Sequence, residues 1–221
     1  FYQTIRRGSG YIMKKLLFTL FALVFIIACS KTDEQKVENA DQQNVTTENS
    51  SQPIVNHRYG IKSGVIFYTA PMGTKQELYF DDYGAKEVSI TSIDLGIAKS
   101  KSIEIRKDGF SYTYEEGKTE GTKKAWYVPA STDYSKADPK TLERYKVKDL
   151  GTETVAGKDC KKFSAEFGGA PMISWTWNNI LIKSTTKMGG ADFVIEATKI
   201  QDGSVDSKIF ELPAGVNFKE M

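Results

Sequence analysis

From residue 53 onward, apolar and polar positions alternate with period two, the pattern of half-buried β-strands. Ile61, Ser63, Val65, Phe67 and Thr69 fall on one side of a first strand, and Gly60, Lys62, Gly64, Ile66 and Tyr68 on the other. After a Pro71–Gly73 turn, Gln76, Leu78 and Phe80 predict a second strand, and Val88 and Ile90 a third. Ile103 and Ile105, then Asp108-Gly109, then Phe110, Tyr112 and Tyr114 predict a hairpin, because Asp-Gly readily takes the left-handed conformations of a tight turn. A further strand is expected over Lys124–Val128. Asp138-Pro139 places a capping side chain and a fixed φ at the start of a short helix running to about Tyr145.

The second half continues in the same style. Thr152–Val155 and Asp159–Phe167 flank a turn at Ala156-Gly157-Lys158. Ile173, Trp175 and Trp177 alternate, then Ile180 and Ile182, and Met188-Gly189-Gly190 turns the chain into Phe193, Ile195 and Ala197. Asp206–Leu212 reads as a short helical turn before Pro213. About ten strands at this spacing, with no internal repeat, predict a mainly β domain over residues 53–221. The expected architecture is a curved antiparallel sheet or incomplete β-barrel with one or two short helices.

The pattern breaks upstream. Met13-Lys14-Lys15 precedes the 13-residue apolar run Leu16–Ala28, the charge-then-apolar order of a secretory signal. The run is shorter than the ~20 residues of a membrane-spanning helix. Residues 1–28 are therefore expected to be a few upstream residues plus a leader that is removed, with Met13 as the start. Residues 30–52 hold no aromatic residue and only Val37, Ala40 and Val45 as apolar ones, too little to offset the entropy of ordering. They read as an acidic, disordered tether with an r.m.s. span of about 25 Å.

Ile26-Ile27-Ala28-Cys29, directly behind the apolar run, resembles the lipobox of bacterial lipoproteins. The resemblance implies cleavage before Cys29, a diacylglycerol on its thiol and a further acyl chain on the new amino group. Two or more chains anchor stably where one does not, since each buried methylene contributes about 0.8 kcal/mol. It implies a membrane partner and the cell envelope. Ser30 stands where, in the proteobacterial sorting rule, Asp would retain the lipoprotein at the inner membrane, which implies the outer membrane, its periplasmic or surface face left open. Acylation of Cys29 leaves Cys160 without an intramolecular partner, and a lone Cys on a strand reads as a small packed hydrophobe.

Composition then removes more than it adds. The 221 residues carry 30 Lys+Arg against 28 Asp+Glu, a formal charge of +2. Four of the bases, Arg6, Arg7, Lys14 and Lys15, lie in residues 1–28 with no acid, so the remaining chain is at −2 and the case for a nucleic-acid partner goes with the leader. A single His, His57, leaves no His-rich metal site, and no metal ligand set or other cofactor is expected. There is no GxSxG elbow, P-loop or dinucleotide fingerprint. Ser184-Thr185-Thr186-Lys187 has Ser-x-x-Lys spacing but lacks the Ser-Asp-Asn and Lys-Thr-Gly elements of that mechanism. The doublets Asp81-Asp82 and Glu115-Glu116 point to opposite faces of a strand, so neither alone flanks a scissile bond. No catalytic residue is assigned, and the chain is read as non-enzymatic.

Aromatic positions are the better lead, with 12% of the chain Phe, Trp or Tyr. Tyr112, Tyr114, Trp175 and Trp177 are the candidate ligand-binding residues, either lining a lipid-sized cavity or forming an open platform for stacking on sugar rings. Tyr59–Ile66, Leu78–Glu87, Leu150–Cys160 and Phe210–Val216 are similar to landmarks of a group of uncharacterised bacterial lipoproteins. More distantly the arrangement resembles the LolA/LolB class of lipoprotein carriers, an incomplete antiparallel barrel over an apolar cavity. That resemblance implies binding of an apolar ligand or of another lipoprotein's acyl chain. A glycan- or protein-binding envelope module using exposed aromatics is the alternative.

Overall fold

A computed structural model describes residues 57–127 and 134–221. The leader, Cys29 and the tether therefore lie outside the described residues. Twelve strands form one open sheet: β1 (Gly64–Ala70), β2 (Thr74–Asp81), β3 (Lys86–Asp94), β4 (Lys99–Lys107), β5 (Phe110–Glu115), β6 (Glu120–Ala125), β7 (Lys148–Val155), β8 (Lys158–Phe167), β9 (Ala170–Trp177), β10 (Ile180–Met188), β11 (Ala191–Asp202) and β12 (Asn217–Glu220). The order across the sheet is β12-β6-β5-β4-β3-β2-β1-β11-β10-β9-β8-β7. Two antiparallel meanders, β1–β6 and β7–β11, are thus joined along the β1–β11 seam, while β12 returns parallel to β6. The expected mainly β, open antiparallel architecture with a small helical share is what the structure shows.

Turn chemistry sets the hairpins. Asp108 and Gly109 adopt φ of 52° and 76°, and Asn178 and Asn179 48° and 62°, the left-handed pairs that match strand twist. The single described α-helix, α1 (Pro139–Arg144), begins as its sequence predicts, with the Asp138 side chain accepting from the Thr141 backbone N–H at 3.0 Å.

Two expectations need correction. The first strand starts at Gly64 rather than Ile61; of its two sides, the one with Ile66 and Tyr68 is buried. The strand expected over Lys124–Val128 is β6, shifted to Glu120–Ala125, with Tyr127 left 80% exposed beyond it. β12 has no counterpart in the sequence reading, because Asn-Phe-Lys-Glu is too short and polar to show an alternation.

The core changes sides along the sheet. On one face, the front, Ile66, Phe80, Ala197, Ile195 and Phe163 are buried on strands β1, β2, β11 and β8. Between β2 and β3 the apolar phase inverts: Phe80 is paired with Glu87, and Tyr79 with Val88. From there Val88, Ile103 and Ile105 are buried on the back face. Their cover is the chain after β11. Capped by the Asp206 carboxylate, which accepts from Lys208 N–H at 3.0 Å, it makes a 3-10 turn over Ser207–Phe210 and inserts Phe210 among Val88, Ile103 and Ile105. This C-terminal strap then crosses to β6. There Phe218 packs edge-on against Tyr112 at 5.3 Å and Tyr114 at 6.0 Å. Gly121 makes room for it, since a Cβ there would lie 2.7 Å from the Phe218 ring.

Candidate functional site

The strap does not seal the back face. Between it and β3–β5 lies an open groove of about 470 Å³, within the ~300–1,000 Å³ range of small-molecule sites. Ile90, Ile103 and Ile105 form its floor, Ile209 and Val216 its far wall, and Tyr114 one side. Five charged side chains also line it, Lys101, Glu116, Lys118, Lys208 and Glu211, and Lys101 Nζ donates to Glu116 Oε1 at 2.7 Å. The Glu116 carboxylate holds the Lys101 ammonium above its ordinary value. Burial pushes the Tyr114 hydroxyl above its usual range; Lys101 opposes the shift and Glu116 adds to it. The arrangement is an open groove with both aliphatic and charged side chains in its lining.

The four aromatic candidates do not form one site. Tyr114 lines the groove, and Tyr112 packs beside it against the strap cluster. Trp175 and Trp177 are on β9, with six strands between it and β5. Trp175 is only 6% exposed, held between Lys162 and Lys183, whose ammonium groups lie 4.9 and 5.3 Å from its ring centroid. Trp177 is half-buried with Lys158 Nζ 4.3 Å from its ring. A lysine ammonium thus lies over each of the two indole rings.

The residues that sequence reasoning missed are the strap side chains and a charged cluster on the front face. Because the apolar phase inverts, Glu87 points to the front and is 1% exposed. Arg58 Nη1 lies 2.5 Å and Arg106 Nη1 3.0 Å from its two oxygens, and Arg106 Nη2 reaches Glu104 at 2.7 Å. Ser111 Oγ donates to Glu104 as well. Burial pushes the Glu104 carboxyl up, but Arg106 and the Ser111 hydroxyl outweigh it and hold it below the usual range. Burial first, and then the Glu87 charge, raise Tyr59 well above its ordinary value. These are closed pairs that fix Arg58 and Tyr59 to the sheet. His57 is exposed and stacks on Tyr83 with ring centroids 3.8 Å apart.

Cys160 is fully buried and its thiol is pushed up by that burial, so the neighbouring lysines do not activate it. Among the described residues, no three His, Cys, Asp or Glu side chains are grouped to hold a metal ion, and no helix is long and apolar enough to cross a membrane.

These features define a class: an open, mostly β domain with a strap-walled groove. No protein-family model matches the chain, and no curated protein matches it. Among solved structures it is similar to PNGF-II, with 14% identity over 72% of this chain and 31% of that one and a TM-score of 0.45. It is similar to a chain of the Pseudomonas aeruginosa MucA/MucB complex, with 15% identity over 70% and 56% and a TM-score of 0.45. The Mycobacterium tuberculosis lipoprotein LppX shares 10% identity over 66% of this chain and 90% of its own, with a TM-score of 0.37. The chain spans about a third of the PNGF-II chain and little more than half of the MucA/MucB one. Identities this low carry no residue role across.

Proposed function

We propose that the protein is a lipid-anchored envelope lipoprotein, binding rather than catalytic, that holds an apolar ligand or the acyl chain of another lipoprotein in the strap-walled groove. The observation that carries this reading is the groove itself, where branched aliphatic side chains of β3 and β4 face Ile209 and Val216 of the strap. Ile26-Ile27-Ala28-Cys29 supports anchoring through an acylated Cys29, and Ser30 supports the outer membrane as destination. The LolA/LolB-like resemblance of the sequence supports the same class of ligand.

The mature chain from residue 29, carrying Cys29→Ser so that it has no acyl chain of its own, is recovered from its native envelope and analysed by mass spectrometry for co-purifying lipid. A stoichiometric lipid is expected. Ile90, half-buried on the groove floor, gives the matched control: Ile90→Trp fills the trough and weakens a fluorescent fatty-acid probe by about tenfold, the loss of one side chain's worth of apolar contact. A protein free of lipid whose probe affinity is unchanged by Ile90→Trp overturns the proposal.

A further inference from the structure

The back face carries a second surface, away from the groove and not covered by the strap. Strands β1, β11, β10, β9 and β8 are adjacent there, and their register puts Phe67, Lys199, Lys183, Trp175 and Lys162 on one side of the sheet. Each ring has a lysine over it: Lys199 at 5.7 Å from the Phe67 centroid, Lys162 and Lys183 flanking Trp175, and Lys158 over Trp177. Lys162 and Lys183 are balanced by Glu153 at 2.7 Å and Glu196 at 2.9 Å. Lys158 and Lys199 have no carboxylate partner among the described residues, so the patch is net positive.

Its position relative to the start of the domain is the second observation. The described chain begins at His57, and Gly60 N–H donates to the Asn178 carbonyl at 2.8 Å. Gly60 fits so closely that a Cβ would lie 3.0 Å from Asn178 Oδ1. The tether segment thus joins the domain beside the turn that follows Trp177. With an anchor at Cys29, this is the corner at which the anchored segment enters the domain.

We infer that the Lys158–Trp177 corner and the adjoining Lys199–Phe67 face dock onto an anionic membrane surface. Indole rings partition to the headgroup region, and a lysine ammonium resting over an exposed ring can exchange that contact for a lipid phosphate while its stem stays on the protein. The inference rests on the anchored-lipoprotein reading and adds to it an orientation: the domain lies against the membrane by the back face of β8–β11 and β1.

The test uses the mature chain from residue 29 with Cys29→Ser, so any binding is the domain's own. It is sedimented with vesicles of pure phosphatidylcholine and with vesicles containing phosphatidylglycerol. Binding to the anionic vesicles alone is expected, lost at high salt, with a blue shift in tryptophan emission that Trp177→Phe removes. Lys158→Ala and Lys199→Ala each weaken it about fivefold, and Lys→Arg at either position restores it. Equal partition onto neutral and anionic vesicles, no partition onto either, or retention on a soluble polyanion without vesicle binding overturns the inference. The mass of Cys29 in protein extracted from the native membrane is read separately. If it is acylated while the vesicle assay fails, the docking surface alone is wrong; if it is unmodified, the anchor reading falls and this one with it.

Discussion

A carboxylate at 1% exposure is tolerable only because two guanidinium groups share it. Removing Glu87 leaves Arg58 and Arg106 facing each other in a site from which they cannot easily reach water. Glu87→Ala is therefore expected to destabilise the fold by about 3–5 kcal/mol, read as a fall in the urea midpoint at unchanged slope. Glu104 contributes through protonation. Its folded carboxyl titrates below the ordinary value of 4.5, so the unfolded chain takes up the proton first on acidification. Its stabilisation is complete above about pH 5 and is lost as the pH falls through the folded value. Urea midpoints measured at neutral pH and near pH 3.5 are expected to converge in Glu104→Gln relative to the unsubstituted chain. A variant with the same pH slope as the parent would remove Glu104 from this account. Of these residues the sequence makes only the local ones legible. Asp138 before Pro139 announces its own cap, since cap and partner lie three residues apart. Nothing in Lys-Glu-Val-Ser-Ile identifies Glu87 as buried, because that depends on which way the phase falls across the β2–β3 turn and on an arginine contributed from before β1.

At the scale of elements, the hairpins were written in short-range chemistry and appear where Asp108-Gly109 and Ala156-Gly157 put them. The strap was not legible, because its role comes from where it lies rather than from its own pattern. Phe210 looks like one apolar residue in a polar stretch until β3 and β4 are underneath it. Phe210→Ala is expected to cost about 3–5 kcal/mol, the usual range for a buried phenylalanine, and to weaken the acyl probe because the far wall of the groove loses its footing. The latch at β12 can be opened more gently. Gly121→Ala sets a methyl 2.7 Å from the Phe218 ring and 2.8 Å from the Thr113 carbonyl, and only the ring can give way. Faster hydrogen exchange is expected at the Asn217 and Met221 amides, which donate to Thr119 and Lys123, with the β3–β4 ladder still protected. Protection unchanged at both amides would show that Phe218 is not what holds the strap.

At the scale of the whole molecule, the decisive contact is the seam between β1 and β11, separated by more than a hundred residues along the chain and invisible to any local pattern. Alternation identifies strands and their faces but not their order, so two successive meanders and one continuous sheet have the same sequence signature. The seam is reinforced beyond its ladder. The Tyr68 hydroxyl donates to the Leu181 carbonyl at 2.8 Å, reaching past β11 to β10, and Gly60 ties the entry segment to the β9–β10 turn. Neither meander buries its front face without the other, since Ile66 and Phe80 come from one and Ile195 and Phe163 from the other. The described domain should therefore unfold as one unit. The three tryptophans allow a direct check, with Trp126 following β6 in the first meander and Trp175 and Trp177 on β9 in the second. Urea transitions followed by Trp126 alone, in Trp175→Phe/Trp177→Phe, and by the β9 pair, in Trp126→Phe, are expected to coincide with each other and with far-UV circular dichroism. Phe67→Pro removes a ladder hydrogen bond from the middle of the seam and should separate them, because proline in a central strand breaks the pairing on one side. Transitions that are already separate in the parent chain would mean that the meanders are independent folding units, and the seam only a docking contact between them.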